Sequence, residues 1–199
     1  MNIKISTLFL IMVVLINYGF TAIRIQDDYN PITSDDSDFK SIKNIDDYLY
    51  WECIYNPSIF SSSRSEQQII AQLGDIKYSK YVKKTFSSVG FFSACGPGFC
   101  SYYIVAVKKD KSIKVINTPN DFRKFIGKID NVEEAKLIVR NAGYIFSIAP
   151  KYMASYKQSA DKYIFKLHDF GLQSCLPPVQ TEPKSITIAV DEMASISRL

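Results

Sequence analysis

Apolar and polar residues alternate most clearly in the middle of the chain, where their pattern predicts a β-hairpin. Two runs rich in β-branched and aromatic residues, 102–108 and 112–117, flank the polar stretch Lys109–Lys111. Such a pair of runs around a polar turn is typical of two antiparallel strands. The first run is apolar at both odd and even positions, so we expect that strand to be central and covered on both faces.

The residues after the hairpin predict a short helix at about 119–126. Thr118 suits the N-cap, Pro119 suits the first helical turn, and Asp121 follows three positions after the cap. Gly127 then ends the helix, because glycine adopts the backbone conformation that closes a helix C-terminus.

A second helix is predicted directly afterwards, at about 131–142. Asp130 with Glu133 three residues later resembles a capping pair, and Gly143 marks the end. Apolar residues recur at helical spacing between them, so this helix also has one face to bury. Those residues are Ala135, Ile138, Val139 and Ala142.

Weaker patterns predict the remaining elements. A helix after Ser65 would bury Ile69, Ile70 and Leu73 and end at Gly74. Residues 76–86 are interpreted as extended. Further strands are expected at 48–55, 144–149, 163–168 and 186–190.

Together these elements predict an α+β fold. Its antiparallel sheet contains the central hairpin at about 102–117, and the two short consecutive helices, at about 119–126 and 131–142, pack on that sheet. A doubly wound parallel sheet would need regular alternation of strands and helices, which the chain lacks. Residues 48–199 are long and apolar enough for a single domain with its own core.

The first twenty-two residues have the layout of a secretory signal peptide. Lys4 precedes the apolar run 8–16, and small residues follow at Gly19, Thr21 and Ala22. The run is too short for a spanning helix, and no later segment is long and apolar enough to be one. The sequence therefore predicts a secreted or periplasmic protein.

Residues 23–47 carry a cluster of acidic side chains. Seven aspartates face Arg24, Lys40 and Lys43, and clustered like charge with few apolar residues is typical of a flexible, solvated leader. Calcium binding is the alternative, but the segment lacks the alternating ligands and turn glycine of an EF-hand.

The four cysteines all follow the predicted signal peptide. An even number in an oxidising compartment predicts two disulfides, which we assign as Cys95–Cys100 and Cys53–Cys175. A redox role for the Cys95 region is the alternative. Thioredoxin-like sites separate their cysteines by two residues, whereas four lie between Cys95 and Cys100.

The basic excess of the chain, a formal net charge of +4, is concentrated in lysine clusters. Around the predicted hairpin, Lys108, Lys109, Lys111, Tyr102 and Tyr103 form a candidate binding surface for an extracytoplasmic protein, peptide or glycan. The simpler interpretation is that these lysines keep an exposed hairpin soluble. Nucleic acid is not an expected partner, because the chain contains no recognisable binding module.

Candidate catalytic chemistry is sparse. His168 is the single histidine, so multi-histidine metal sites are excluded, and no metal or cofactor motif is present. A hydrolase could use His168 as a general base, but Asp169 would point to the opposite face of a strand. Glu133 and Glu134 fit a helix N-terminus better than a glycosidase pair.

The sequence thus predicts an exported, disulfide-stabilised small domain that binds a partner or serves as an accessory protein without catalysing a reaction. A small exported hydrolase with a site around His168 remains the alternative.

Overall fold

The structure, a computed structural model, describes residues 28–33, 38–43, 47–58, 63–91, 100–169 and 182–199. It is an α+β fold with two antiparallel sheets. The strands are β1 (Asn30–Pro31), β2 (Tyr48–Asn56), β3 (Gln68–Gly74), β4 (Ser101–Lys108), β5 (Ile113–Ile116), β6 (Ser155–Ser159), β7 (Lys162–Asp169), β8 (Lys184–Asp191) and β9 (Ile196–Arg198). The α-helices are α1 (Ser79–Val82), α2 (Pro119–Ile126) and α3 (Val132–Asn141).

The first sheet has the order β3-β2-β4-β5 and contains the predicted hairpin. The hairpin is confirmed, since β4 and β5 pair antiparallel from Ile104 with Ile116 to Val107 with Ile113. The central position of β4 is confirmed as well, because residues 103–107 are all fully buried. Residues of β4 pack in one hydrophobic cluster on each face of the sheet, which explains its continuous apolar sequence.

The second sheet has the order β1-β6-β7-β8-β9. The predictions at 163–168 and 186–190 are confirmed as β7 and β8, but β6 was not predicted, because SYKQS is polar and has no apolar alternation. The prediction of a strand at 144–149 is wrong. That segment forms a loop, and a hydrogen bond of 2.8 Å from Ala154 N to Ser147 O closes it.

Helix α2 begins and ends as the sequence predicts. The hydroxyl of Thr118 accepts a hydrogen bond from the backbone N–H of Asp121 at 3.1 Å, and Pro119 occupies the first turn. Gly127 follows the helix with φ +67°, a left-handed value that favours glycine. The local sequence therefore fixes both ends of this helix.

Helix α3 is present, but its N-cap lies one residue later than predicted. Asn131, not Asp130, caps the helix by accepting a hydrogen bond from Glu134 N at 2.9 Å. The Glu134 carboxylate in turn accepts from the backbone N–H groups of Asp130 and Lys43. Burial raises the pKa of this carboxyl despite those two hydrogen bonds.

The helices connect the two sheets through one hydrophobic cluster. In α2, Phe125 packs edge-on against Trp51 of β2, with ring centroids 5.7 Å apart, and its ring also contacts Tyr48. Helix α3 packs against β8 of the other sheet, and its residues 134–141 are all buried. A helix buried on every side belongs to the interior of the fold.

The described parts of the predicted acidic leader belong to the folded protein. Ile32, Phe39 and Ile42 are each at most 3% exposed, and residues Asp38–Ser41 form a 3-10 helix. The expectation of a solvated tether is wrong for these residues, because apolar side chains between the aspartates supply buried area. The predicted signal peptide, 1–22, lies outside the described residues.

Residues 64–86 depart most from the sequence prediction. The expected helix ending at Gly74 is the strand β3, and Ile69 and Leu73 are exposed rather than buried. The segment expected to be extended, 76–86, instead contains a 3-10 helix at Ile76–Tyr78 followed by α1. A β-bulge in β3 gives its apolar residues a spacing that resembles a helix.

Candidate binding groove beside an open sheet edge

Strand β3 forms one edge of the four-stranded sheet. It pairs with β2 on one side, and no strand among the described residues pairs with its other side. Its sequence, QIIAQLG, contains no charged residue and no proline. Natural sheets commonly protect their edges with such residues, so an edge without them is able to pair with another chain.

A β-bulge in β3 explains why Ile69 is exposed and why the sequence of this strand resembles that of a helix. Cys53 pairs with Ala71 while the next residue, Ile54, pairs with Ile69, so that Ile70 is the extra residue. The extra residue breaks the alternation of apolar and polar positions that identifies a strand. Ile70 packs on the core, whereas Ile69 remains 51% exposed.

Two hollows flank Ile70 and separate β3 from the 3-10 helix Asp38–Ser41. We call them together the β3 groove. One hollow, of about 610 Å³, is lined by Lys40 and by residues 69–72. The other, of about 340 Å³, is lined by Phe39, Tyr55, Gln68, Ile70 and Tyr102. The groove therefore runs along β3 with apolar, aromatic and amide side chains in its walls.

Stacked aromatic rings hold the narrower hollow in shape. The rings of Phe39 and Tyr102 stack with centroids 5.2 Å apart and planes inclined by 19°. Tyr55, the cross-strand partner of Tyr102, contacts the same ring at 5.2 Å. Phe39 is 2% exposed, so it anchors the wall, whereas Tyr55 and Tyr102 are only partly buried.

A buried polar network lies on the opposite face of this sheet. Arg64 forms an ion pair with Glu52 at 2.5 Å, and Glu52 is only 3% exposed. The Tyr50 hydroxyl donates to the Glu52 carboxylate at 2.8 Å and lies 2.9 Å from the side-chain oxygen of Gln72 in β3. Burial and this carboxylate raise the pKa of Tyr50. The network thus links β3 to β2 through side chains as well as backbone pairing.

The structure separates the residues of the predicted hairpin surface. Lys108, Lys109 and Lys111 are exposed at the turn between β4 and β5, whereas Tyr102 and Tyr103 lie at the other end of β4. At about 3.3 Å per residue, the two ends are roughly 20 Å apart. Tyr103 is fully buried and its hydroxyl donates to Gln67, so it does not fit a surface role. Tyr102 belongs to the β3 groove instead.

His168 lies on the outer face of the five-stranded sheet. Its ring contacts Tyr152 edge-on at 5.3 Å, and its Nδ1 atom is buried without a hydrogen-bond partner. A hydrolytic triad needs an acid on that nitrogen. The neighbouring Asp169 projects to the other face and pairs across the sheet with Lys184. The hydrolase interpretation therefore lacks its orienting acid among the described residues.

One cysteine does not form the disulfide that the sequence predicts. Cys53 is a free, fully buried thiol in β2 and packs in the main hydrophobic cluster. The predicted disulfide between Cys53 and Cys175 is therefore wrong. Cys53 is the cross-strand partner of Ala71 on one side and of Ile104 on the other, and it is fully buried, so the core encloses its thiol. Cys100 is disulfide-bonded. Cys95 and Cys175 lie outside the described residues, so the Cys95–Cys100 pairing stays a prediction.

Thiol labelling checks the state of Cys53. Burial raises the pKa of this thiol well above its ordinary value, so the native protein is expected to resist iodoacetamide at Cys53. In denaturant without reductant, the label is expected at Cys53 within minutes. A disulfide-linked peptide containing Cys53, found by mass spectrometry of the unreduced protein, would contradict this assignment.

The residues that form the β3 groove were missed as site residues in the sequence. Ile69 and Ile70 were assigned to the buried face of a helix, and Phe39 and Lys40 to a solvated leader. The run from Gln67 to Leu73 contains two β-branched residues, Ile69 and Ile70, and this is the signal that favours a strand over a helix.

Neither a search for metal sites and membrane-spanning helices nor a comparison with known proteins assigns a function to the chain. Among the described residues, no three His, Cys, Asp or Glu side chains come together as metal ligands. None of the helices in the described part of the chain has the length and hydropathy to cross a membrane. No protein-family model, curated protein or solved structure matches the chain.

Proposed function

We propose that the protein is an exported, disulfide-stabilised binding domain without catalytic activity, and that it binds an extended segment of another polypeptide along β3. The single observation that carries the proposal is the uncharged outer edge of β3 beside the β3 groove. An extended peptide adds to such an edge by backbone hydrogen bonds, while neighbouring hollows accept its side chains.

The other sheet edges are less suited to this role. Strand β1 has two residues, β9 has three, and β5 has four, of which one is Lys114. Short edges and edge lysines are ordinary means of preventing unwanted strand pairing. Strand β3 has seven residues and neither form of protection.

Exposed apolar side chains on β3 add to its suitability. Ile69 is 51% exposed and Leu73 is 36% exposed, and each offers area that a partner strand would cover. In the described lining of the groove, Lys40 is the one charged side chain. We therefore expect the bound segment to be largely apolar, with an acidic residue facing Lys40.

The proposed location rests on the sequence. The apolar run after Lys4 has the length of a signal peptide rather than a spanning helix. A disulfide at Cys100 is consistent with an oxidising compartment, since such bonds are rare in the cytosol.

Peptide selection with edge variants tests the proposed function. Random dodecapeptides displayed on phage are selected on the exported, processed protein, and their affinities are measured by isothermal titration. Replacing Ile69 by lysine is expected to weaken the selected peptides at least about tenfold, because the substitution removes apolar area and charges the edge.

Ile113→Lys is the matched control, since Ile113 is 38% exposed on β5, the other edge of the same sheet. It is expected to leave peptide affinity unchanged. Selection of no peptide, or equal losses in the two variants, would contradict the proposal.

A further inference from the structure

We propose that the helical segment 76–84 lies against an anionic membrane surface and binds it through its lysines. The segment consists of the 3-10 helix Ile76–Tyr78, α1 and the two residues that follow. It carries lysines at positions 77, 80, 83 and 84, and the sequence has no acidic residue between Asp75 and Asp110. Lysine clusters of this kind on a helical surface are attracted to anionic headgroups.

The segment is fixed on one face of the four-stranded sheet. Val82 of α1 is fully buried and packs in a cluster that includes Tyr103 of β4, and Tyr78 packs against the same cluster. The β3 groove belongs to the other face, where its residues Ile70 and Tyr102 pack against the main hydrophobic cluster. The proposal therefore does not depend on peptide binding in the groove.

Helical geometry places three of the lysines together on the side away from the sheet. The backbone is right-handed helical from Tyr78 to Lys83, so Lys80 lies beside Lys83 and Lys84, three and four positions later. Val82 points to the sheet, and Lys80 and Lys84, two positions before and after it, project from the opposite side of the helix. All three lysines are exposed.

Two tyrosine rings join Lys80 to Lys77. The ring centroids of Tyr78 and Tyr81 lie 6.1 Å apart. The ammonium group of Lys77 is 5.0 Å from the Tyr78 centroid, and that of Lys80 is 5.4 Å from the Tyr81 centroid. These four side chains thus form one continuous patch with a cation at each end, and Tyr81 is 40% exposed in it.

The patch remains positively charged after its ion pair is counted. Lys77 pairs with Asp75 at 2.5 Å, so these two residues add no net charge. In the part of the chain that the structure describes, no carboxylate pairs with Lys80, Lys83 or Lys84. The contact between Lys80 and a tyrosine ring leaves the charge of the lysine in place.

This combination favours a lipid surface over a protein or a glycan. The cores of protein interfaces are depleted of lysine. Lysine is a point charge without the planar fork of arginine, so a lysine cluster suits a surface that offers many anionic groups. Lysines cover the rings of Tyr78 and Tyr81, which leaves less ring surface for stacking against a sugar. Ile76 is 60% exposed at the start of the segment, and a bilayer buries such an apolar group whereas a soluble polyanion does not.

Vesicle co-sedimentation tests the inference with the exported, processed protein. Vesicles are made of equal parts phosphatidylglycerol and phosphatidylcholine, or of phosphatidylcholine alone. The wild-type protein is expected to bind the anionic vesicles and not the neutral ones, and to bind less in high salt, because salt screens exposed charges. The triple variant Lys80→Gln, Lys83→Gln, Lys84→Gln is expected to lower the partition coefficient about a hundredfold, or about fivefold for each lysine.

The matched control is the triple variant Arg123→Gln, Lys124→Gln, Lys128→Gln, which removes the same charge from exposed positions in and after α2. Helix α2 packs on the other face of the sheet, so this variant is expected to bind within about twofold of wild type. Circular dichroism should show both variants folded. Absence of binding to the anionic vesicles, or equal losses in the two variants, would overturn the inference. So would retention on a dextran sulfate column without binding to vesicles, since the partner would then be a soluble polyanion.

Discussion

Replacing Arg64 by methionine is expected to destabilise the protein by about 3 kcal/mol, because the substitution leaves the Glu52 carboxylate buried without its counter-charge. Glu52 is 3% exposed and Arg64 is 17% exposed, so water replaces the lost interaction poorly. Among the described residues, the donor that remains on the carboxylate is the Tyr50 hydroxyl, which is neutral. Urea unfolding at neutral pH measures the loss.

Two further variants make the Arg64 result specific. Lys77→Met breaks an ion pair with Asp75 of the same 2.5 Å length, but both partners are exposed to water, so a much smaller loss of stability than for Arg64→Met is expected. The double variant Glu52→Leu with Arg64→Met removes both charges and is expected to recover part of the stability. The account of the network fails if Arg64→Met costs no more than Lys77→Met.

Gly90→Ala is expected to destabilise the protein by about 3 kcal/mol, since a Cβ at this position overlaps the backbone of β4. It would lie 2.2 Å from the carbonyl oxygen of Tyr102 and 2.6 Å from its nitrogen. Backbone atoms in a central strand cannot move aside as a flexible side chain can. The adjacent hydrogen bond, from Phe91 N to Tyr102 O at 2.8 Å, holds the two segments together.

Gly143→Ala provides the matched comparison, because it adds the same methyl group where nothing lies within 4 Å. Its cost is expected to be about 1 kcal/mol and to come from the left-handed backbone, φ +90°. Thermal unfolding of both variants separates the two causes. Equal losses would show that contact with β4 is not the reason Gly90 is needed.

The Gly90 contact also bears on the β3 groove. Tyr102, whose backbone approaches Gly90, carries the ring that stacks on Phe39 in the groove wall. A shift of Tyr102 would therefore alter the narrower hollow. Gly90→Ala is expected to weaken the peptides selected on the wild-type protein.

The sequence predicted elements well where a few neighbouring residues determine them. Thr118 and Gly127 fix the ends of α2 by local hydrogen bonding and backbone conformation. The hairpin is likewise local, because its two strands are joined by a short polar turn. Strand β4 was placed centrally because its apolar residues occupy both faces.

Elements that depend on distant contacts were not predictable in the same way. Strand β3 is extended because it pairs with β2, and its bulge at Ile70 gives apolar spacing that resembles a helix. The 3-10 helix around Phe39 is ordered by packing against Tyr102, far along the chain. Nothing local in an aspartate-rich segment indicates such a contact.

Most residues of the candidate site were not predicted from the sequence, because their arrangement also depends on contacts between distant parts of the chain. The predicted lysines at 108, 109 and 111 and the two tyrosines are neighbours in sequence, but β4 carries them to opposite ends of the sheet. Of that set, Tyr102 alone lines the β3 groove. Ile69 and Leu73 become recognisable as contact residues once β3 is known to be an exposed edge.

Amide hydrogen exchange of the protein with and without a selected peptide tests the central claim most directly. Bound peptide is expected to slow exchange in β3, residues 68–74, because its backbone would pair with the outward N–H groups of that strand. The other edge of the sheet, residues 113–116, is expected to exchange as before. Slowed exchange confined to the lysine hairpin or to β5, with β3 unchanged, would contradict the account.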